Sequence, residues 1–142
     1  MCGILFSNIL RINKTSFNKA LELMDHRGPD ATGYFTQNSI QMGHKRLKIQ
    51  DLDSRSNQPF FSKCGNFICI FNGEIYNFNE LAKTHSIKMR TTSDTEVLIE
   101  LYVIYGEKML SMLNGMFSFV ILDKRDGSYF VGRDRLGIKP LY

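Results

Sequence analysis

The feature that most constrains the fold is a short apolar run in the middle of the chain, Phe67-Ile68-Cys69-Ile70-Phe71. Five residues rich in β-branched and aromatic side chains, apolar on both faces, predict a buried central strand. The polar sequence Asn72-Gly73-Glu74 follows at once and predicts a turn that ends the strand and exposes backbone N–H groups. The run is far shorter than the roughly 18 residues that a membrane-spanning helix needs.

Length and composition limit the class of protein. The chain has 142 residues, which predicts one domain, and 43% of them are hydrophobic and 23% charged, as is typical of globular proteins. The net charge of +4 comes from scattered basic residues, with no run longer than Lys45-Arg46, so a nucleic-acid interface is not supported. No basic segment follows Met1, so no signal peptide is predicted and we expect a cytoplasmic protein.

The pattern of helices and strands predicts an α+β fold with a mostly antiparallel sheet. A first helix, capped by Thr15 or Ser16, is predicted from helical spacing at Phe17, Ala20, Leu21 and Met24. A second begins at a capping box of Ser93 and Glu96 and is closed by Gly106. A third, short helix runs through Met109 and Leu113. Strands are predicted at 3–6, 33–37, 40–45, 67–71, 117–122 and 129–132, the last two as a hairpin.

The cysteine spacing favours neither a disulfide framework nor a zinc or redox site, because no two cysteines form a CxxC pair. Cys69 is expected in the core and Cys64, beside Gly65, in a turn. Two further groups are assigned no chemistry: His26, His44 and His85, expected to be structural or exposed, and Met109, Met112 and Met116, expected in the core.

Cys2 has the most distinctive chemistry of the three. Removal of Met1 would leave Cys2 as the first residue, with a thiol and a free α-amine on adjacent carbons. Unperturbed groups of these two kinds titrate close to neutral pH, at about 8.5 and about 7.7–8.0. One residue would then supply both a nucleophile and its general base. A cysteine that merely follows the start codon is the alternative.

Eight sequence blocks, in order from residue 2 to the last residue, resemble the class II glutamine amidotransferase domain, specifically the glutaminase domain of asparagine synthetases. They are CGI at 2–4, HRGPD at 26–30, GHKRLKI at 43–49, QP at 58–59, NGEIYN at 72–77, SDTE at 93–96, GMFSF at 115–119 and GRDRLGIKPLY at 132–142. The resemblance implies the fold of N-terminal nucleophile hydrolases, an αββα sandwich of two antiparallel sheets between helical layers.

The resemblance also implies a catalytic role in glutamine hydrolysis for three residues and a supporting role for a fourth. Cys2 would attack the side-chain amide of glutamine. Asn72 and Gly73 would form the oxyanion hole, through a side-chain amide and a backbone N–H. Arg27 would support the N-terminal cysteine. Without the resemblance, Asn72-Gly73 would be interpreted as a turn.

Substrate binding is likewise implied by the resemblance. Arg46 would bind the α-carboxylate of glutamine through two parallel bonds, and Glu74 and Asp94 would bind the ammonium. Outside these motifs, such charges are usually solvated surface groups. Lys48 and Gln50 depart from the family, which usually has a small and an apolar residue there. The same pocket would be lined by Leu47, Lys48, Ile49 and Gln50, the last mainly through its backbone.

The resemblance implies no cofactor and no metal for the glutaminase step. ATP and Mg²⁺ are expected only for a synthetase domain that follows in the family. The expected partners are the substrate L-glutamine and that synthetase domain. A homodimer is compatible with the resemblance, and neither nucleic acid nor a membrane is expected as a partner. Because the chain ends in the apolar segment 138–142, residues 1–142 are expected to be a single glutaminase domain, incomplete at its C-terminal end. A non-catalytic glutamine-binding or scaffolding module of the same fold is the alternative.

Overall fold

Two antiparallel sheets stack face to face in the computed structural model, which describes residues 1–142. The first sheet has the order β1-β3-β2, with β1 at Gly3–Ser7, β2 at Ala31–Gln37 and β3 at Ile40–Arg46. The second has the order β4-β5-β6-β7, with β4 at Phe60–Phe61, β5 at Phe67–Ile75, β6 at Gly115–Asp123 and β7 at Tyr129–Arg133. Every pairing between strands is antiparallel.

Helices cover both outer faces of the two sheets. Helix α1 (Lys14–Glu22) buries Phe17 and Leu21 on the first sheet, and α2 (Phe78–Thr84) and α3 (Asp94–Tyr105) pack on the second. Short 3₁₀ helices lie at Asp25–Arg27, Ser54–Ser56 and Gly106–Met112. None of the helices has both the length and the apolar character to cross a membrane. The layers are therefore helix, sheet, sheet, helix, and the predicted αββα sandwich is confirmed.

Two apolar cores hold these layers together. The smaller core lies between the two sheets, and its members include Met42, Ile70 and Val120. The larger core lies between the second sheet and the helices, where Leu98 and Phe119 are fully buried. Burial of apolar area stabilises a fold by roughly 25 cal/mol per Å². The smaller core therefore holds the two sheets together, and the larger core holds the helices on the second sheet.

The predicted strands and the last hairpin are confirmed, with bounds that differ by a few residues at most. The exception is β5, which continues through Asn72-Gly73-Glu74 to Ile75 where a turn was predicted. The reason is that β6 pairs with β5 along its whole length. A Cβ atom on Gly73 would lie 2.3 Å from the carbonyl oxygen of Met116, so glycine permits this close pairing.

The helix starts were predicted in the right places but with partly wrong caps. Asn13, not Thr15 or Ser16, caps α1 by accepting the N–H of Ser16 at 2.9 Å. Ser93 caps α3 as predicted, and Gly106 ends α3 with a φ of 56°. The predicted capping box is wrong in its second half.

Glu96 does not reach back to the N-cap. Its carboxylate accepts the backbone N–H groups of Arg90 and Thr91, at 2.9 and 2.8 Å, and so fixes the segment that precedes α3. Helix α2 and strand β4 were not predicted at all. The third predicted helix is the 3₁₀ helix Gly106–Met112. Cys69 is buried and Cys64 lies in a turn, as expected.

Candidate active site

The site lies at an edge of β5 that no strand covers, because β4 is only two residues long. Phe71 N–H donates to Gln58 Oε1 at 2.6 Å, and Ile75 N–H donates to Asp94 Oδ2 at 3.0 Å. Backbone groups alternate in direction along a strand, so Gly73 N–H points to the same edge, between these two. No side chain occupies that position, and Gly73 N–H is left facing a cleft.

The cleft is small, with a volume of about 90 Å³, and is open to solvent. It is bounded by this edge of β5, the N-terminus of the chain, the segment after β3 and the start of α3. Every predicted site residue except Arg27 and Lys48 lines it: Cys2, Arg46, Leu47, Ile49, Gln50, Asn72, Gly73, Glu74 and Asp94. Lys48 lies outside, and its backbone N–H donates to Asp30 Oδ2 at 2.8 Å.

Cys2 is half-buried at the start of β1, and contacts on both sides hold it there. Leu47 N–H donates to Cys2 Sγ at 3.4 Å, which directs the positive end of a peptide dipole at the sulfur. Arg27 Nε donates to the carbonyl oxygen of Cys2 at 3.2 Å. This contact fits the supporting role predicted for Arg27, which stays a prediction.

Asn72 supplies a second group without a protein partner. Its side chain is 3% exposed, and its Oδ1 atom is buried with no hydrogen bond. Alternate residues of a strand share a face, so Asn72 and Glu74 both point from β5 toward the first sheet, which carries Cys2. The Asn72 amide and the Gly73 N–H therefore line the cleft that contains the thiol, and their role as an oxyanion hole stays a prediction.

Arg46 is buried, and most of its donors are already used. Its two terminal nitrogens bind the carbonyl oxygens of Gln50, Asp51 and Asp53 and the Oδ1 atom of Asn57. These four bonds tie down the loop 47–57 and leave the Nε–H for a ligand. The predicted pair of parallel bonds to a carboxylate is therefore not free in this arrangement, although Arg46 lines the cleft.

The acidic side of the cleft consists of Glu74 and Asp94, neither of which forms a salt bridge. Burial raises the pKa of Asp94 to about 6, and the nearby charge of Glu74 contributes in the same direction. Hydrogen bonds from the backbone N–H groups of Ile75 and Thr95 oppose this rise. Two carboxylates without a cationic partner make this side suited to a positively charged group.

Sequence reasoning missed several lining residues, of which Lys139 is the most unusual. Its side chain is 2% exposed, and its ammonium contacts Met1 Sδ instead of a carboxylate. The backbone N–H of Lys139 donates to Asp134 Oδ2 at 2.9 Å, which fixes the turn after β7. Met116 also lines the cleft, so its predicted place in the core is wrong. The others are Met1, Ser56, Gln58, Phe71, Ser93 and Thr95.

The four layers, with Cys2 in a cleft beside the sheets, are those of the N-terminal nucleophile hydrolase fold. Within this class, the chain belongs to the glutamine amidotransferase domain family, whose model matches residues 1–142.

Curated relatives agree with this family. An asparagine synthetase [glutamine-hydrolyzing] of Zea mays is 42% identical over 147 aligned positions, which cover 100% of this chain and 25% of the relative. Asparagine synthetase [glutamine-hydrolyzing] 1 of Arabidopsis thaliana is 40% identical, with 100% and 25% covered. A putative asparagine synthetase [glutamine-hydrolyzing] 2 of Methanocaldococcus jannaschii is 38% identical, with 100% and 32% covered. The chain thus spans about a quarter to a third of the length of these relatives.

Proposed function

We propose that this domain hydrolyses glutamine to glutamate and ammonia, with Cys2 as the nucleophile after removal of Met1. One observation carries the proposal: the Cys2 thiol shares a cleft with the backbone of Gly73, the side-chain amide of Asn72 and charges of both signs. Free glutamine has the complementary groups, which are an ammonium, a carboxylate and a terminal amide. The names of the relatives, which are glutamine-hydrolysing enzymes, support the same reaction.

Charge complementarity supports one orientation of the substrate. Glu74 and Asp94 bind the α-ammonium, and Arg46 binds the α-carboxylate through the Nε–H that the loop leaves unused. The terminal amide then reaches toward Cys2, which lines the same cleft. Leu47, Ile49 and Gln50 close the side of the pocket.

The reaction proceeds through a thioester. The α-amine of Cys2 takes the thiol proton as the sulfur attacks the amide carbon, and Asn72 and Gly73 donate hydrogen bonds to the resulting oxyanion. The C–N bond then breaks, and the α-amine gives its proton to the departing ammonia. Water attacks the thioester and releases glutamate. A single oxyanion donor typically contributes about 10²–10³-fold to the rate.

In the relatives, a domain of this kind is part of a longer protein, and the fate of the ammonia depends on the rest of that protein. We propose that the ammonia passes to an ATP- and Mg²⁺-dependent synthetase domain of the asparagine synthetase type, in the cytoplasm. The relatives' names support this assignment, and the glutaminase step itself requires neither ATP nor metal.

The test is glutamate release by the purified domain without ATP or acceptor, after intact mass has shown that Met1 is absent. Cys2→Ala should abolish release, and the matched control Cys64→Ala, at an exposed cysteine, should leave it unchanged. An electrophilic glutamine analogue should label Cys2 once per chain. A processed domain that binds glutamine but releases no glutamate would instead be a non-catalytic binding module.

A further inference from the structure

The side chain of Gln50 has an unusual position in the cleft. Its Nε2 donates to Glu74 Oε1 at 3.2 Å, and its Oε1 is buried with no hydrogen-bond partner. The residue is held in place because its carbonyl oxygen accepts from Arg46 at 3.2 Å. Exchanging the positions of the amide oxygen and nitrogen would direct the oxygen at the carboxylate of Glu74, which repels it. The atom without a partner is therefore the amide oxygen.

This oxygen completes a set of acceptors that matches an ammonium group. A primary ammonium has three N–H donors. The cleft offers carboxylate oxygens from Glu74 and Asp94, and one oxygen of Asp94 already accepts the N–H of Ile75. Gln50 Oε1 adds a third acceptor without adding a third negative charge. Buried acceptors are almost always satisfied in folded proteins, and a ligand ammonium in this cleft would supply the missing donor.

We propose that the side-chain amide of Gln50 is a specificity-determining residue, which accepts one N–H of the substrate α-ammonium while its NH₂ group orients Glu74. The inference rests on the proposed function and goes beyond the backbone contact that the family resemblance implies. It means that the pocket distinguishes glutamine from amides that lack an α-amine.

The test compares glutamine with glutaramate, which has the same carboxylate and terminal amide but no α-amine. In Gln50→Met, which keeps the length and removes the polar atoms, KM for glutamine should rise about tenfold or more, because a hydrogen bond to a charged group is lost. The inhibition constant of glutaramate should change less than twofold. Gln50→Leu serves as a second variant, and melting temperatures verify that both fold.

Gln37→Met is the matched control. Gln37 is a half-buried glutamine that donates to the carbonyl oxygen of Lys124 at 2.8 Å and does not line the cleft. Both glutamine and glutaramate should bind this variant as they bind the unaltered domain.

Two results would overturn the role of Gln50 while leaving glutamine hydrolysis intact. One is an unchanged KM for glutamine in both folded Gln50 variants. The other is an equal weakening of glutamine and glutaramate, which would mean that Gln50 only shapes the pocket. If the unaltered, processed domain neither binds nor hydrolyses glutamine, the proposed function fails, and this inference fails with it.

Discussion

At the scale of single residues, Arg46 contacts both the cleft and the loop that closes it. Arg46→Lys keeps the charge but cannot replace four hydrogen bonds of fixed geometry. We expect the free energy of unfolding to fall by about 1–3 kcal/mol, the cost of unpaired buried acceptors, and KM for glutamine to rise. Denaturant unfolding and steady-state kinetics measure the two effects.

A second arginine in the same loop provides the control for Arg46→Lys. Arg55 is half exposed and pairs only with Asp51, so Arg55→Lys should change neither quantity appreciably. A lower stability of Arg46→Lys with an unchanged KM would assign Arg46 to the loop alone. An unchanged stability would show that the four bonds contribute little.

The proposed contact of Asp94 with the substrate ammonium predicts that glutamine binding depends on pH. Its pKa of about 6 means that the carboxyl is charged above this pH and neutral below it, while the ammonium of glutamine stays charged throughout. Affinity for glutamine should therefore fall as pH falls below 6, by up to about tenfold per pH unit. Titration calorimetry between pH 5 and 8 measures this affinity in Cys2→Ala, which should bind glutamine without hydrolysing it. Asp94→Asn should bind weakly and without this pH dependence, and a flat profile in the parent variant would contradict the role of Asp94.

At the scale of elements, Asp51 joins the loop 47–57 to the start of α3. Its carboxylate accepts Thr92 N–H at 2.7 Å and Asp53 N–H at 3.2 Å. Burial alone would raise the pKa of Asp51, but hydrogen bonds from Thr92, Ser56 and Asp53 outweigh it and lower this pKa to about 2. The loop and the helix that carry the two sides of the pocket are thus connected through one side chain.

Asp51→Ala should separate these two elements. We expect the free energy of unfolding to fall by about 1–3 kcal/mol and KM for glutamine to rise, because Leu47 and Gln50 lose their fixed position. Asp51→Asn is the control, since asparagine keeps an acceptor and tolerates the φ of 43° found here. Its effect on both quantities should be clearly smaller. Equal effects of the two variants would show that the charge, not the connection, matters.

The elements also show which parts of the fold can be predicted from sequence. The strand at Phe67–Phe71 and helix α3 were predicted correctly because apolar runs and an N-cap serine are local signals. The extension of β5 to Ile75 was not, because it depends on pairing with β6, forty or more positions further on. Strand β4, which is only two residues long, is too short to produce a pattern.

For the site, the motif blocks predicted which segments meet but not the partners of each side chain. The resemblance brought Cys2, Asn72 and Asp94 to one pocket, and they do line the same cleft. It did not predict that Arg46 would be occupied by its own loop, nor that Lys139 would be buried beside Met1. Such contacts depend on how loops fold back in three dimensions, which residue types alone do not specify.

At the scale of the whole molecule, two buried groups give opposite pH dependences of stability. Burial lowers the pKa of His44 to about 4, the hydrogen bond to the carbonyl oxygen of Phe71 opposes this, and the charge of Arg46 adds to it. Between pH 6.5 and 4 the unfolded chain therefore takes up a proton that folded His44 refuses, and stability falls as pH falls. Asp94 has a raised pKa, so the folded chain binds this proton at a higher pH than the unfolded chain does. The contribution of Asp94 to stability therefore rises as pH falls.

Two substitutions separate these contributions. Between pH 7 and 5, His44→Gln should reduce the loss of unfolding free energy, whereas Asp94→Asn should increase this loss. Each effect should reach up to about 1.4 kcal/mol per pH unit, and the melting temperature should follow it. Thermal unfolding of both variants across this range is the measurement. Parallel curves for the two variants and the unaltered domain would show that neither group controls acid stability.

The open edge of β5 also has a consequence for how the domain can be observed. Phe71 and Ile75 satisfy their amides with side chains, whereas the amide of Gly73 faces the cleft. Hydrogen–deuterium exchange should therefore be fast at Gly73 in a strand whose neighbouring amides exchange slowly. A thioester or tetrahedral adduct that accepts this hydrogen should slow its exchange selectively. One amide signal in an NMR spectrum would then report occupancy of the oxyanion position during turnover, without any label in the substrate.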